Sequence, residues 1–97
     1  MQILPVLWLC GPPGAGRTRA GWEIYAGLRR DGVPAGYADL DQLGMCYPEP
    51  ACDPGRQDLK ARNLAAVLAG HCAAGVRCAV VSGGPDPTGR APAAALP

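Results

Sequence analysis

Phenylalanine does not occur in this chain, and lysine occurs once, at Lys60. A large excess of charge of either sign is lacking too. Nine Lys plus Arg face eight Asp plus Glu, so no strong field exists to hold a polyanion such as DNA, and nucleic acid is not expected as the main partner. An apolar run long enough for a bilayer is also lacking. The opening MQILPVLWLC has no basic residue ahead of it and is too short to span a membrane. It lacks the small residues that a lipoprotein cleavage site would place before Cys10. A cytoplasmic protein with no membrane partner is expected. Ala, Gly, Pro and Arg abound by contrast, and the scarcity of Lys and Phe fits a codon bias more than a selected surface. The 97 residues fit one small domain with a thin margin of stability.

Closely spaced cysteine pairs are missing as well. Five cysteines stand at positions 10, 46, 52, 72 and 78, an odd number that reads as free thiols in a reducing compartment. The spacing from Cys46 to Cys52 repeats from Cys72 to Cys78 and invites a zinc reading. Structural zinc prefers closer pairs, and Cys78 falls in an apolar run that reads as a strand. His71, beside Cys72, reads as a histidine at the favourable carboxyl end of a helix.

What is present alternates. Residues 3–10 form a continuous apolar run of the kind a strand buried on both faces would show, with Pro5 marking its start and Gly11 its end. Gly21, Ile24, Tyr25 and Leu28 recur at helical spacing between Thr18 and Arg30, and Gly32 follows as a stop. A second strand is expected over Ala35 to Leu40. Next comes GMCYPEPACDPGR, a loop dense in Pro and Gly that would be exposed. A longer helix from Gln57 to Ala74 would place Leu64, Val67, Leu68 and Cys72 on one face, closed by Gly75. VRCAVVSGG at 76–84 reads as the third strand. The tail after it holds four prolines and little to bury, so residues 1–84 read as a partial domain and 85–97 as a disordered tail.

Strand, helix, strand, helix, strand is the pattern of a parallel sheet with right-handed crossovers, whose ligands bind beyond the carboxyl ends of the strands. Three segments meet that requirement: the loop after the first strand, Asp39-Leu40-Asp41, and Ser82-Gly83-Gly84. The first, LCGPPGAGRT, has the spacing of a phosphate-binding loop. In such a loop glycines let the backbone wrap an anion, a lysine bridges the outer phosphates, and a hydroxyl holds magnesium. Gly11, Gly14, Gly16 and Thr18 fill their places. Pro12 and Pro13 carry no amide hydrogen, so the donors would be the backbone groups of Gly14, Ala15, Gly16, Arg17 and Thr18. The plainer alternative is an ordinary Gly/Pro turn between strand and helix. Arg17 replaces the lysine. It has the same charge but is a planar fork on a longer stem, so binding can survive where transfer suffers.

LWLCGPPGAGRT, YADLDQLG and CAVVSGG together resemble the amino-terminal half of the small P-loop kinases, the group of shikimate kinase, gluconate kinase, adenylylsulfate kinase and chloramphenicol phosphotransferase. The resemblance covers roughly residues 3–84 and implies a three-layer, P-loop NTPase-like α/β fold with a parallel sheet, truncated after β-α-β-α-β. It implies ATP and Mg2+ as cofactors and a small hydroxyl-bearing substrate. Asp39 would match the metal-side carboxylate, beside Thr18, and Asp41 the acceptor-side base. Arg17 would take the place of the catalytic lysine, and Gly83 and Gly84 a glycine-rich turn that touches substrate. No aspartate ends the third strand, so Asp39 would have to stand in for a second metal carboxylate. The plainer reading of the aspartate pair is a strand end that caps the following turn. Arg56, Lys60 and Arg62 could contact substrate, although such charges more commonly form a solvated helix face.

Family members continue with an arginine-bearing lid and a loop for the adenine, neither of which is in these 97 residues. Three readings therefore stand open: a small-molecule kinase completed from elsewhere, a nucleotide-binding module without turnover, and a kinase relic that barely folds. The family's strand order implies one further expectation. With strands ordered two, three, one and no fourth strand, residues 5–10 would form an unpaired apolar edge, giving either self-association or a poorly soluble monomer.

Overall fold

The computed structural model describes residues 4–10 and 16–83. Three strands and three helices alternate through it: β1 (Val6–Leu9), α1 (Arg17–Arg30), β2 (Ala35–Asp39), α2 (Leu40–Leu43), α3 (Gln57–Ala73) and β3 (Cys78–Ser82), with a 3-10 turn over Pro54–Arg56 before α3. The protein is a small α/β structure. Its three strands are all parallel and lie in the order β1-β3-β2. Among the described residues β3 is therefore central, and β1 stands at one edge.

Alternation along the strands assigns the two faces, since neighbouring residues point to opposite sides. Ala38, Ala79 and Val81 pack with Leu4, Leu40, Ala61, Leu64 and Leu68 into the core, on the side covered by α3. Val6 and Trp8 are partly buried against the same cluster. Leu40 and Leu64 are fully buried, and each such side chain contributes about 1.5–3 kcal/mol when taken from water. On the opposite face Gly21 of α1 fits against Tyr37, Ser82 and Leu9. That is the buried position of its helix, and a side chain there would crowd the Tyr37 ring.

Most of the expected elements form within a residue or two. The first strand is the exception in its surroundings. It does not lie buried on both faces, because Leu7 is 47% exposed. As an edge strand it sits at the margin of α1, which packs chiefly across β2 and β3. Ile24, assigned by spacing to the inner face of α1, is also exposed, while Tyr25 and Leu28 are half-buried. The second strand stops at Asp39. Leu40 turns into the core as the first residue of α2, a short helix that the proline-rich composition around it conceals. His71 lies in the last turn of α3, with its ring over Gly36, where a Cβ would collide with the imidazole. All five cysteines are free thiols. No helix among the described residues is long and apolar enough to cross a membrane. Residues 84–97, read from the sequence as Gly84 and a tail, lie outside the described residues, as do 11–15.

Candidate functional site

Gly11, Gly14, Ala15 and Gly84 fall outside the described residues, so the site is built from what flanks them. Gly16 precedes α1 with φ 77°, a left-handed conformation that a glycine adopts without steric cost. Its carbonyl accepts the first helical hydrogen bond, from the Ala20 amide at 3.0 Å. Arg17 and Thr18 then occupy the first turn, which carries no acidic side chain. An anion approaching this end of α1 meets the helix dipole with no acidic side chain of the turn's own beside it.

A chain of hydroxyls holds that turn to the sheet. The Tyr37 hydroxyl lies 2.7 Å from Ser82 Oγ and 3.3 Å from the Thr18 carbonyl oxygen. Tyr37 has one proton, so when it donates to Thr18 the Ser82 hydroxyl donates to it. Ser82 is fully buried at the carboxyl end of β3. The first turn of α1 is thereby fixed to the ends of β2 and β3.

The two aspartates divide their work. Asp39 Oδ1 accepts the Asp41 amide at 3.0 Å and caps α2, which is the plainer of the two roles read from the sequence. A cation at Asp39 would use Oδ2 or the remaining lone pair of Oδ1. Asp41 faces the other way. Its Oδ2 accepts from Arg17 Nη2 at 2.9 Å, and its Oδ1 lies 3.9 Å from Lys60 Nζ. Arg17 and Lys60 are both well covered, at 13% and 16% side-chain exposure, while Asp41 is half exposed. The expected phosphate-loop cation and the expected base are thus partners in an ion pair. Among the described residues no group of three or more His, Cys, Asp or Glu could hold a metal ion.

Lys60 is the residue that sequence reasoning undervalued. It belongs to the first turns of α3, yet it is not part of a solvated face as Arg62 is. Its aliphatic stem lies over Gly44, where a Cβ would stand 2.6 Å from Lys60 Cε. The glycine after α2 opens the path by which the ammonium reaches Asp41. A glycine opposite a lysine is too common a pairing to be read from spacing alone.

Gly83 also has a use in the fold. Its φ is 123°, and a Cβ there would meet Leu40 Cβ at 2.8 Å and the Leu40 and Asp41 amides at 3.2 and 3.3 Å. The chain after β3 passes so close to the start of α2 that only glycine fits. Whatever it offers a substrate, Gly83 sets Asp41 against β3.

Beside Asp41 opens a cavity of about 670 Å³, walled by Gly44, Glu49, Asp53, Arg56 and Lys60 among others. Its rim is held in an unusual backbone. Cys52 and Arg56 both have φ 58°, in the left-handed region that costs a side-chain-bearing residue about 1 kcal/mol or more. The Asp53 carboxylate offsets this by accepting the Asp58 and Leu59 amides at 2.9 and 3.0 Å, which caps α3. Arg56 pairs with Glu49 at 2.9 Å. Asn63 Nδ2 donates to the Leu43 carbonyl at 2.7 Å and ties α2 to α3.

No family model, curated protein or solved structure matches this chain.

Proposed function

We propose that the chain is an ATP-binding protein of the P-loop type, resembling the small-molecule kinases that pass a terminal phosphoryl group to a hydroxyl. One observation carries this reading. Arg17, at the start of the helix that follows the glycine-rich segment, meets Asp41 at the carboxyl rim of a parallel sheet, the rim where ligands of such sheets bind. The phosphates would lie against the first turn of α1, with Arg17 as their cation. Thr18 and Asp39 would hold a magnesium ion, which neutralises phosphate charge when bound. The acceptor would occupy the cavity beside Asp41, within reach of Lys60 and Arg56.

In transfer, Asp41 would take the proton of the acceptor hydroxyl. The freed oxygen would form a bond to the terminal phosphorus as the bond to the bridging oxygen breaks, leaving the nucleoside diphosphate. The Arg17–Asp41 pair favours a second reading, nucleotide binding with little or no turnover. Each group of the pair occupies the other, and arginine is a poor substitute for a lysine that must reach between phosphates.

Titration calorimetry with a non-hydrolysable ATP analogue, with and without magnesium, tests binding. Weak, magnesium-dependent heat is expected. Folded protein that gives none at millimolar analogue removes the proposal.

A further inference from the structure

We infer that the outer edge of β1, unpaired among the described residues, is a docking surface for the β1 edge of a second copy of this chain, pairing antiparallel about a twofold axis through Leu7. The inference stands apart from any nucleotide, since it rests on the sheet alone.

The register shows which groups are free. Ala79 N donates to the Pro5 carbonyl, and Val6, Leu7, Trp8 and Leu9 stand opposite Ala79, Val80, Val81 and Ser82. In a parallel ladder of this register the amides and carbonyls of Leu7 and Leu9 turn toward β3. Those of Val6 and Trp8 turn outward. Among the described residues β1 pairs on that one side only. Two outward residues separated by one make a self-complementary unit. In an antiparallel pair about Leu7, Val6 exchanges both hydrogen bonds with Trp8 of the second copy, and Trp8 with its Val6. Leu7 then falls at the closely spaced, non-hydrogen-bonded position. Its side chain, the exposed one of the strand, meets its own counterpart there.

Charge and composition select this occupant. No charged residue stands anywhere in positions 1–16, so the edge lacks the lysines that commonly guard such strands, and nothing in it repels a copy of itself. A charged partner strand would find nothing to pair with. Residues 84–97 are poorly suited to the same place, since their four prolines cannot donate to a ladder. Pairing would join the described strands of the two copies into one continuous sheet and bury the leucines at its centre.

Sedimentation of the full chain at tens of micromolar, together with amide exchange read by NMR, tests the inference. The expected result is a dimer in which the Val6 and Trp8 amides gain about tenfold or more protection over the diluted monomer, while Leu7 and Leu9 stay protected in both. Leu7→Lys should give a monomer with an unchanged circular dichroism spectrum. A wild-type monomer at that concentration would overturn the inference, and so would a dimer whose Val6 and Trp8 amides exchange as in the monomer. A Leu7→Lys dimer would do the same. Should Leu7→Lys fail to fold, the wild-type exchange pattern decides alone.

Discussion

The two faces of the sheet carry different kinds of side chain. Toward α3 lie Ala38, Ala79 and Val81, met by Leu64 and Leu68 in a buried apolar layer. Toward α1 lie Tyr37 and Ser82, joined through hydroxyls to the Thr18 carbonyl, with a group of rings formed by Trp22, Tyr25 and Tyr37 at centroid distances of 5.5–6.0 Å. One helix is buried through leucines. The other is buried through a glycine and keeps Trp22 more than half exposed. Apolar packing of the first kind is non-directional and yields stability, whereas a polar network of the second kind fixes orientation and is costly when broken. The α3 face therefore holds the molecule together, and the α1 face holds the start of α1 in place over the strand ends.

The sharpest way to break that division is Leu64→Ala. Leu64 is fully buried at the centre of the α3 layer, and removing it costs the transfer energy of the lost atoms plus that of the cavity left behind. A loss of about 2–5 kcal/mol is expected, a large share of a total that for small domains is about 5–15 kcal/mol. Urea unfolding followed by circular dichroism measures it. A loss under about 1 kcal/mol would mean that the layer is loosely packed and that the contrast between the faces is false.

Tyr37→Phe probes the other face with a smaller effect. The ring stays, so the aromatic group is kept, but Ser82 Oγ loses its partner while fully buried and the Thr18 carbonyl loses a donor. The cost of stranding a buried hydroxyl is about 1–3 kcal/mol. The same substitution should weaken nucleotide binding beyond what its stability change explains, because the first turn of α1 is no longer tied down. Parallel unfolding and calorimetry separate the two. Binding unchanged in a destabilised Tyr37→Phe protein would mark the hydroxyl chain as structural only.

The sequence revealed one face far better than the other, for physical reasons. The helical recurrence of Leu64, Val67, Leu68 and Cys72 is the direct imprint of a helix laid on an apolar sheet, and the structure places Leu64 and Leu68 in the core with Val67 and Cys72 against it. Strand–helix alternation likewise gives the parallel sheet, whose order among the described residues is β1-β3-β2. Contacts across elements leave no such imprint. Arg17 and Asp41 are 24 residues apart, and their pairing depends on how far α2 turns after β2. The approach of Lys60 depends on Gly44 lacking a side chain, and the exposure of Leu7 on where α1 crosses the sheet. Periodicity reports what an element does with its own faces. It does not report which side chains two elements bring together at their ends.

Asp41→Asn should change stability least and sharpens the comparison most. Asp41 is half exposed, so its pairing with Arg17 in solvent is worth no more than about 1 kcal/mol, and the amide keeps the shape of the side chain. Unfolding should shift by less than that. Its effect on ligand should have the opposite sign from that of Tyr37→Phe. With the carboxylate neutral, the Arg17–Asp41 ion pair is lost and an incoming anion no longer competes with the Asp41 charge at this rim, so nucleoside diphosphate should bind up to about fivefold more tightly, the equivalent of about 1 kcal/mol. Lys60, also relieved of its carboxylate neighbour, acts in the same direction. Calorimetry with the diphosphate reads the change, and the diphosphate is chosen because it has no terminal group for Asp41 to act upon. Tighter binding at unchanged stability would identify the ion pair as a competitor of the ligand. A loss of stability larger than that of Tyr37→Phe would instead make the pair a strut of the rim, and the separation of orientation from stability would then hold for the sheet faces but not for the ends of the strands.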